Sequence, residues 1–463
     1  MKIVYVLEAY FPRAVGGTEM YTDALANDVR EMGHEVCLVI PDFHNTGTGS
    51  YIYNNIEVHT YKEPSRGSRN LILGFEKPAG LDNFSQLIKQ LNPDIVHFQM
   101  ISAGQGITMF HLESVKMMGF RTVLTIHLSH YTCLTGNLIR NNEVPCDGVI
   151  KDMKCSICYM RGKEMSAPLA SLSAGLSNLA MRLLNKSEKL YSIPFLGAGM
   201  HVYKRKEDLK KLAEYSDMIC AITGWYKDML IKNGVPEEKL RLVKQGAIGP
   251  DGKNHPADDQ EYKAVDTGEH KKVKLVFIGR ITRVKGLHVL LEALKGLDNK
   301  LYDLDIFGLI GDGNKYQEDN ARYILANGIS ATFRGAIPHE EILRILSGYD
   351  VLCLPSLFSE MSPLVIQEAF KAGIPVIGSE APGISEEVKN GVNGYIFPFG
   401  NVGKLREQLS TIFEDRSLIL RLKKNVVAPR NFKRVSEETV LVYEEIINPD
   451  MSRSGYSHEY ERK

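Results

Sequence analysis

The chain has 463 residues, 44% of them hydrophobic and 24% charged. At about 150 residues per domain that is enough for two or three domains with large cores, and the composition excludes a mostly disordered, collagenous or coiled-coil protein. Lysine plus arginine total 56 and aspartate plus glutamate total 56, and this zero net charge argues against bulk nucleic acid as the main partner. The 7 cysteines are too few and too unevenly spread for a secreted disulfide framework. No run approaches the roughly 20 apolar residues of a bilayer span, and Met1 to Leu7 is not followed by a cleavage site, so a cytoplasmic location is expected, with membrane association left open.

In chain order, Ile3 to Leu7 reads as a strand, Thr18 to Met32 as a helix stopped by Gly33, and Glu35 to Ile40 as the next strand. Further apolar runs predict strands at Asp94 to Phe98, Thr122 to Ile126, Met218 to Ile222 and Leu240 to Val243. From Gly249 to Lys272 the chain turns polar, with prolines, glycines and no hydrophobic period, as a linker would. The grammar then restarts. Strands are expected at Lys274 to Ile278, Leu304 to Phe307, Ala331 to Phe333, Val351 to Leu354 and Pro375 to Gly378. Helices are expected at Leu287 to Leu297, His339 to Ser347, Pro363 to Ala372 and Ile384 to Lys389.

Apolar strands alternating with helices imply parallel sheets covered on both faces, hence two doubly wound α/β domains facing across a cleft. The expected division is an N-terminal domain at 1–250, a linker at 251–272, a second domain at 273–430, a helix at 431–447 packing back on the first domain, and a polar tail at 448–463.

Ligands of such sheets bind outside the carboxyl ends of the strands. After the strand ending at Ile278 comes Gly279-Arg280-Ile281-Thr282-Arg283-Val284-Lys285-Gly286. The planar fork of Arg280 and the compact charge of Lys285 suit a diphosphate, although a solvated basic loop would read the same way. After the strand ending at Leu354 comes Ser359-Glu360-Met361-Ser362-Pro363-Leu364, with Glu368 in the following helix. Ser362 is the expected N-cap and Pro363 the first helical residue, which would aim free amides at a phosphate.

Gly-Arg-x4-Lys-Gly followed by Glu-x7-Glu resembles the donor domain of glycosyltransferase family 4, which has the GT-B fold. Phe333-Arg334-Gly335, His339 to Ile342, Pro382-Gly383 and Asn390-Gly391-x-x-Gly394 resemble the same family. The resemblance implies that Arg280 and Lys285 hold the donor diphosphate, Glu360 contacts the transferred sugar and Glu368 the ribose hydroxyls. Gly279 and the main chain of Met361, Ser362, Pro363 and Leu364 would complete the donor site.

In the first half, Gly16-Gly17 precedes Thr18, the expected N-cap of the first helix, and is not a Gly-x-Gly-x-x-Gly fingerprint, which disfavours nicotinamide or flavin. By the resemblance, this pair borders the reaction centre and the acceptor side and is grouped with the donor-binding residues, the alternative being a simple Gly-Gly turn. His127, at a strand end, resembles the family histidine that contacts the donor sugar, with Leu128 where many relatives have aspartate. His97 and Gln99 are weaker candidates at another strand end.

Cys133, Cys146, Cys155 and Cys158 form a Cys-x12-Cys-x8-Cys-x2-Cys series in an insertion at about 128–165, and a cysteine-bearing insertion also occurs in a subset of the family. Structural zinc is the expected ligand, with an iron-sulfur cluster, disulfides or unligated thiols as alternatives. Cys37, Cys220 and Cys353 fall in strands and should be core. Between Lys186 and Lys211 there are seven basic residues and three acids, following an apolar segment from Ala167 to Leu184. That stretch suits an anionic membrane surface or a phosphorylated lipid acceptor, or simply a solvated helix face.

The resulting expectation is a retaining glycosyltransferase. It would move a sugar from a nucleoside-diphosphate sugar, UDP or GDP based, to a hydroxyl of a glycan or lipid-linked acceptor in surface polysaccharide or glycoconjugate synthesis, with no cofactor needed for catalysis. The competing expectations are a sugar-nucleotide epimerase of the same fold and a silent nucleotide-sugar-binding subunit.

Overall fold

The computed structural model describes residues 1–14, 16–43, 49–64, 71, 74–102, 106–141, 143–183, 197–249, 272–309, 315–338 and 341–449. The polar stretch at 251–271, the tail from 450, His339 and Glu340 therefore lie outside the described residues, as does much of the basic stretch that begins at Lys186. The chain divides into two compact units, Met1–Lys244 with the segment from Phe432, and Gln245–Asn431.

The first unit is built on β1 (Lys2–Val6), α1 (Gly17–Glu31), β2 (Glu35–Asp42), β3 (Gly49–Tyr53), β4 (Ile56–Lys62), α2 (Leu81–Leu91), β5 (Ile95–Phe98), α3 (Met109–Met117) and β6 (Arg121–Ile126). A short ribbon, β7 (Ile139–Arg140) with β8 (Val144–Pro145), leads into α4 (Asp152–Arg161), α5 (Ala167–Leu183) and α6 (Gly197–Tyr215). The sheet is completed by β9 (Met218–Ala221), α7 (Gly224–Lys232) and β10 (Leu240–Leu242). Its strand order is β10-β9-β6-β5-β1-β2-β4-β3, parallel except for β3 against β4. The central strands are largely apolar and buried because helices cover both of their faces, with His97, Thr122 and Thr125 as buried polar exceptions. Gly33, with φ of +91°, follows α1 and ends it as its sequence position suggested.

The second unit comprises β11 (Val273–Ile278), α8 (Leu287–Leu294), β12 (Tyr302–Phe307), α9 (Lys315–Ala326), β13 (Ala331–Gly335), α10 (Ile342–Leu346) and β14 (Val351–Leu354). It continues with α11 (Leu364–Lys371), β15 (Val376–Ser379), α12 (Pro382–Glu387), β16 (Gly394–Phe397), α13 (Val402–Glu414) and α14 (Ser417–Lys424). All strands are parallel in the order β13-β12-β11-β14-β15-β16, with an apolar cluster on each side of the sheet. Strand order reverses between β11 and β14. Such a switch point opens a crevice at the carboxyl ends of the two strands, and that is where a ligand is expected.

The last helix, α15 (Phe432–Ile447), belongs to the first unit. Ser436 donates to Asp28 at 2.7 Å, and the Tyr443 hydroxyl lies 2.7 Å from His97 Nδ1 and 3.1 Å from the Tyr5 hydroxyl. His97 also meets Thr125 Oγ1 at 2.8 Å, so a buried polar chain is satisfied along its length. Burial pushes His97 down to about 3, with His127 adding to the effect, which keeps the ring neutral in its core position. His97 is thus a structural residue.

Candidate active site

The loop after β11 and the loop after β14 meet at the switch point of the second unit. The Leu357 amide donates to the Val284 carbonyl at 2.7 Å, which ties the turn Arg283–Lys285 to the segment after β14. Lys285 Nζ stands 2.8 Å from Glu360 Oε1 and 4.9 Å from the centre of the Phe358 ring. Ser356 Oγ donates to the same carboxylate oxygen at 2.7 Å, and Ser379 Oγ donates to the Ser356 carbonyl at 2.7 Å. From below, the Gly383 amide in the first turn of α12 donates to the Glu360 carbonyl at 3.1 Å. Glu360 is only 7% exposed, so both its side chain and its main chain are fixed from several sides. Arg280, by contrast, is exposed, and no described residue pairs with it. One cation is held in place, and the other is available to an anion.

The helix start differs in detail from the expectation. Ser362 is not the N-cap: α11 begins at Leu364, and the flanking residue is Pro363, with φ of −65° and ψ of 119° and no side-chain cap. Pro363 also has no N–H, so of the four residues expected to line the donor site only Met361, Ser362 and Leu364 have an amide to offer a phosphate. Among the described residues, the hydroxyls of Ser359 and Ser362 are buried without a hydrogen-bond partner, as is Gln367 Nε2. Buried polar atoms in this state are costly, and a cluster of them at a helix start suits a ligand rich in oxygen.

Glu368 lies one turn into α11 and is buried; burial raises its carboxyl from 4.5 to about 7. A carboxyl with a raised value stabilises the fold below its ordinary value, and that contribution is lost as pH climbs through 7. The shift corresponds to about 3 kcal/mol. Glu368→Gln is therefore expected to flatten the fall in urea-unfolding stability between pH 5 and 8; a wild-type curve as flat as the variant's would contradict this.

In the first unit, α1 starts two residues earlier than a cap at Thr18 would give: Gly16 is the N-cap and Gly17 the first helical residue, so Thr18 is not the cap. The Glu19 side chain folds back over Gly16, where a Cβ would stand 2.6 Å from Oε2. His127, just past β6, has Nε2 3.0 Å from Gln99 Oε1 and its ring edge-on to Tyr21 at 4.6 Å. Burial lowers His127 to about 3, so it acts as a neutral imidazole. Gln99 accepts from Nε2–H, which leaves Nδ1 as an acceptor suited to a hydroxyl. Gln99, a weak candidate from sequence, is thus the residue that orients His127.

Cys133, Cys146, Cys155 and Cys158 line one cavity of about 20 Å³, and none is in a disulfide. Among the described residues, no three His, Cys, Asp or Glu side chains are grouped so as to hold a metal ion. The sulfurs instead have local partners: Cys133 with Thr135 at 3.3 Å, Cys146 with Asp147 at 3.7 Å and Cys158 with the Ile139 carbonyl at 3.6 Å. Burial raises the Cys146, Cys155 and Cys158 thiols. Cys37, Cys220 and Cys353 are buried.

The apolar segment from Ala167 is α5, and its sides are inverted in size. Ala170, Ser173, Ala174 and Ser177 face inward, while Leu169, Leu172, Leu176, Leu179 and Leu183 are exposed. Among the described residues no helix is long and apolar enough to cross a membrane.

Residues 258–427 match the family Glycosyl transferases group 1, and residues 15–142 match Glycosyltransferase Family 4. The chain belongs to the family 4-type glycosyltransferases. Among curated relatives, the chain is 29% identical over 210 residues to the amylovoran biosynthesis glycosyltransferase AmsK of Erwinia amylovora, covering 44% of the chain and 49% of the relative. It is 32% identical over 194 residues to the sulfoquinovosyl transferase SQD2 of Arabidopsis thaliana, covering 41% and 36%. The chain thus spans half or less of the length of these relatives. Among solved structures, HepE of Anabaena, determined with UDP and glucose, aligns with a TM-score of 0.60 at 15% identity, covering 96% of this chain and 99% of that one. Sucrose-phosphate synthase of Thermosynechococcus elongatus aligns with a TM-score of 0.65 at 16% identity, covering 97% and 99%. Likeness at such identity establishes the fold, which is GT-B with two Rossmann-like domains.

Proposed function

We propose that the protein transfers a sugar from a nucleoside-diphosphate sugar, a UDP-sugar first of all, to a hydroxyl of a glycan or lipid-linked acceptor, with retention, in polysaccharide or glycoconjugate synthesis. The observation that carries this reading is the 2.8 Å pairing of Lys285 with Glu360 just before the start of α11, on loops that follow the two switch-point strands, with the exposed Arg280 in the same loop as Lys285. The polysaccharide named for AmsK and the UDP held by HepE support it.

As the bond between the anomeric carbon and the diphosphate breaks, negative charge grows on the departing phosphate. Arg280 answers it directly. Lys285 has three donors, so it can keep Glu360 and still reach a phosphate oxygen, while the amides and hydroxyls at the start of α11 add neutral donors. Glu360, fixed by Lys285 and Ser356, orients the sugar and stabilises the positive charge that develops on it. The acceptor oxygen bonds to the anomeric carbon from the face the diphosphate leaves, and its proton passes to the leaving phosphate. His127 offers its free ring nitrogen to a sugar hydroxyl. The outward leucines of α5 support contact with a bilayer, where a lipid-linked acceptor would be presented.

A thermal-shift series with UDP, GDP, ADP and UDP-glucose tests the donor assignment. UDP at about one hundred times its dissociation constant should raise stability by about 2.7 kcal/mol. No shift with any nucleoside diphosphate would overturn the reading. Incubation with donor alone separates the rivals: an epimerase alters the sugar and a transferase does not. A silent subunit would bind donor and label no acceptor.

A further inference from the structure

A second cavity, of about 40 Å³, lies entirely within the first unit, and the mechanism above makes no use of it. Its wall comes from Ile101 and Ser102 beyond β5, from Met109 and Phe110 at the start of α3, from His130 beyond β6, and from Lys204, Arg205 and Asp208 on α6. Strand order in this unit reverses between β1 and β5, so the cavity opens at the carboxyl edge of the sheet beside its switch point, the place where doubly wound sheets take ligands. Glu8, just beyond β1, is engaged by the Ser102 hydroxyl at 2.6 Å.

The charges in the wall do not balance. Lys204 is paired with Asp208, which leaves Arg205 as one net positive charge. No described carboxylate pairs with Arg205, and its Nε is buried with no acceptor among the described residues. A buried guanidinium N–H without an acceptor is expensive, and the guanidinium fork is shaped for the paired oxygens of a phosphate or carboxylate. His130 does not supply a second cation: burial, then the nearby Arg205, lower it to about 4, and its Nε2 meets the Ile101 carbonyl at 2.9 Å. The first residues of α3 add the positive end of a nine-residue helix. The volume holds about three water-sized groups, the size of one oxyanion rather than of a sugar.

We infer that this cavity binds a phosphate group carried by the acceptor, with Arg205 as its principal ligand. Phosphate is favoured over carboxylate because the polar wall comes from three separate elements around one centre, which suits a tetrahedral anion better than a planar one. The inference rests on the glycosyltransferase reading only for the word acceptor; the anion site itself is argued from the first unit alone.

Calorimetric titration with inorganic phosphate tests it on the wild type, Arg205→Gln and Arg280→Ala, with malonate as the carboxylate probe. The expected result is phosphate binding that Arg205→Gln weakens at least tenfold, that persists in Arg280→Ala, and that is tighter than malonate binding. Arg205→Lys, which keeps the charge and loses the fork, should fall between wild type and Arg205→Gln, and it carries the test if Arg205→Gln has a disturbed circular dichroism spectrum. Equal phosphate binding in wild type and Arg205→Gln, no binding in wild type, or tighter malonate binding would each overturn the inference. UDP binding, measured in the same proteins, should be unchanged by Arg205→Gln. If UDP fails to bind while phosphate binds at Arg205, the donor reading falls and the anion site stands; the reverse result removes the anion site alone.

Discussion

Arg280→Ala is expected to lower turnover by about two to three orders of magnitude, the cost of losing one preorganised charge at a transition state. The residue is exposed and unpaired among the described residues, so its removal should change stability by no more than about 0.5 kcal/mol. A slow but normally folded enzyme would therefore report on the leaving group and not on the fold. Lys285→Ala should slow the reaction at least as much, but it also strips the buried Glu360 carboxylate of its 2.8 Å partner, so a loss of stability is expected alongside. Single-turnover kinetics and urea unfolding on both variants separate the two effects. Near-normal transfer by both would remove the diphosphate assignment.

The second large effect is expected at Gly286, which ends the turn carrying Lys285 and caps α8. Its φ is +75°, and a Cβ there would stand 1.8 Å from the Pro355 carbonyl oxygen. That oxygen belongs to backbone just beyond β14 and has no flexible arm to swing aside. Gly286→Ala must then either part the two loops or strain the turn, at a cost of about 3 kcal/mol or more, and parting them would draw Lys285 away from Glu360. Gly296 is the control: its φ of +82° is similar, but nothing lies within 4 Å of its Cβ position. Gly296→Ala should cost only the left-handed conformation, about 1–2 kcal/mol. Equal losses at the two positions in thermal unfolding would show that close approach to Pro355 is not what fixes glycine there.

The strands that carry the site are legible because each contains a mostly apolar run in a sheet covered on both faces; β14, Val351 to Leu354, is apolar at every position and matches its expected bounds. The pair β3 and β4 went unread. Their residues are only partly apolar because β3 lies at the sheet edge, and the signal that could have found them is the turn Asn54-Asn55, both with positive φ, between two runs that alternate in exposure. Both capping assignments were off because Thr18 and Ser362 are good caps by composition, whereas Gly16 and Pro363 occupy the extended positions that begin those helices. The motifs marked Lys285 and Glu360 as separate ligand contacts, but spacing along the chain cannot show that they touch each other. Ser356 carries no signal of its own, Gln99 only that of a strand end and Arg205 only that of a basic stretch, since Ser356 and Gln99 act through Glu360 and His127 and spacing does not show those contacts.

Because α15 completes the first unit, the second unit is an insertion within the first. During synthesis Gln245–Asn431 can close its core while the first unit still lacks Tyr443, whose hydroxyl joins Tyr5 to His97. The later unit in the chain can thus be the earlier one to finish, and until α15 emerges the nascent first unit holds a histidine whose Nδ1 lacks its partner and an open apolar groove for chaperones to shield.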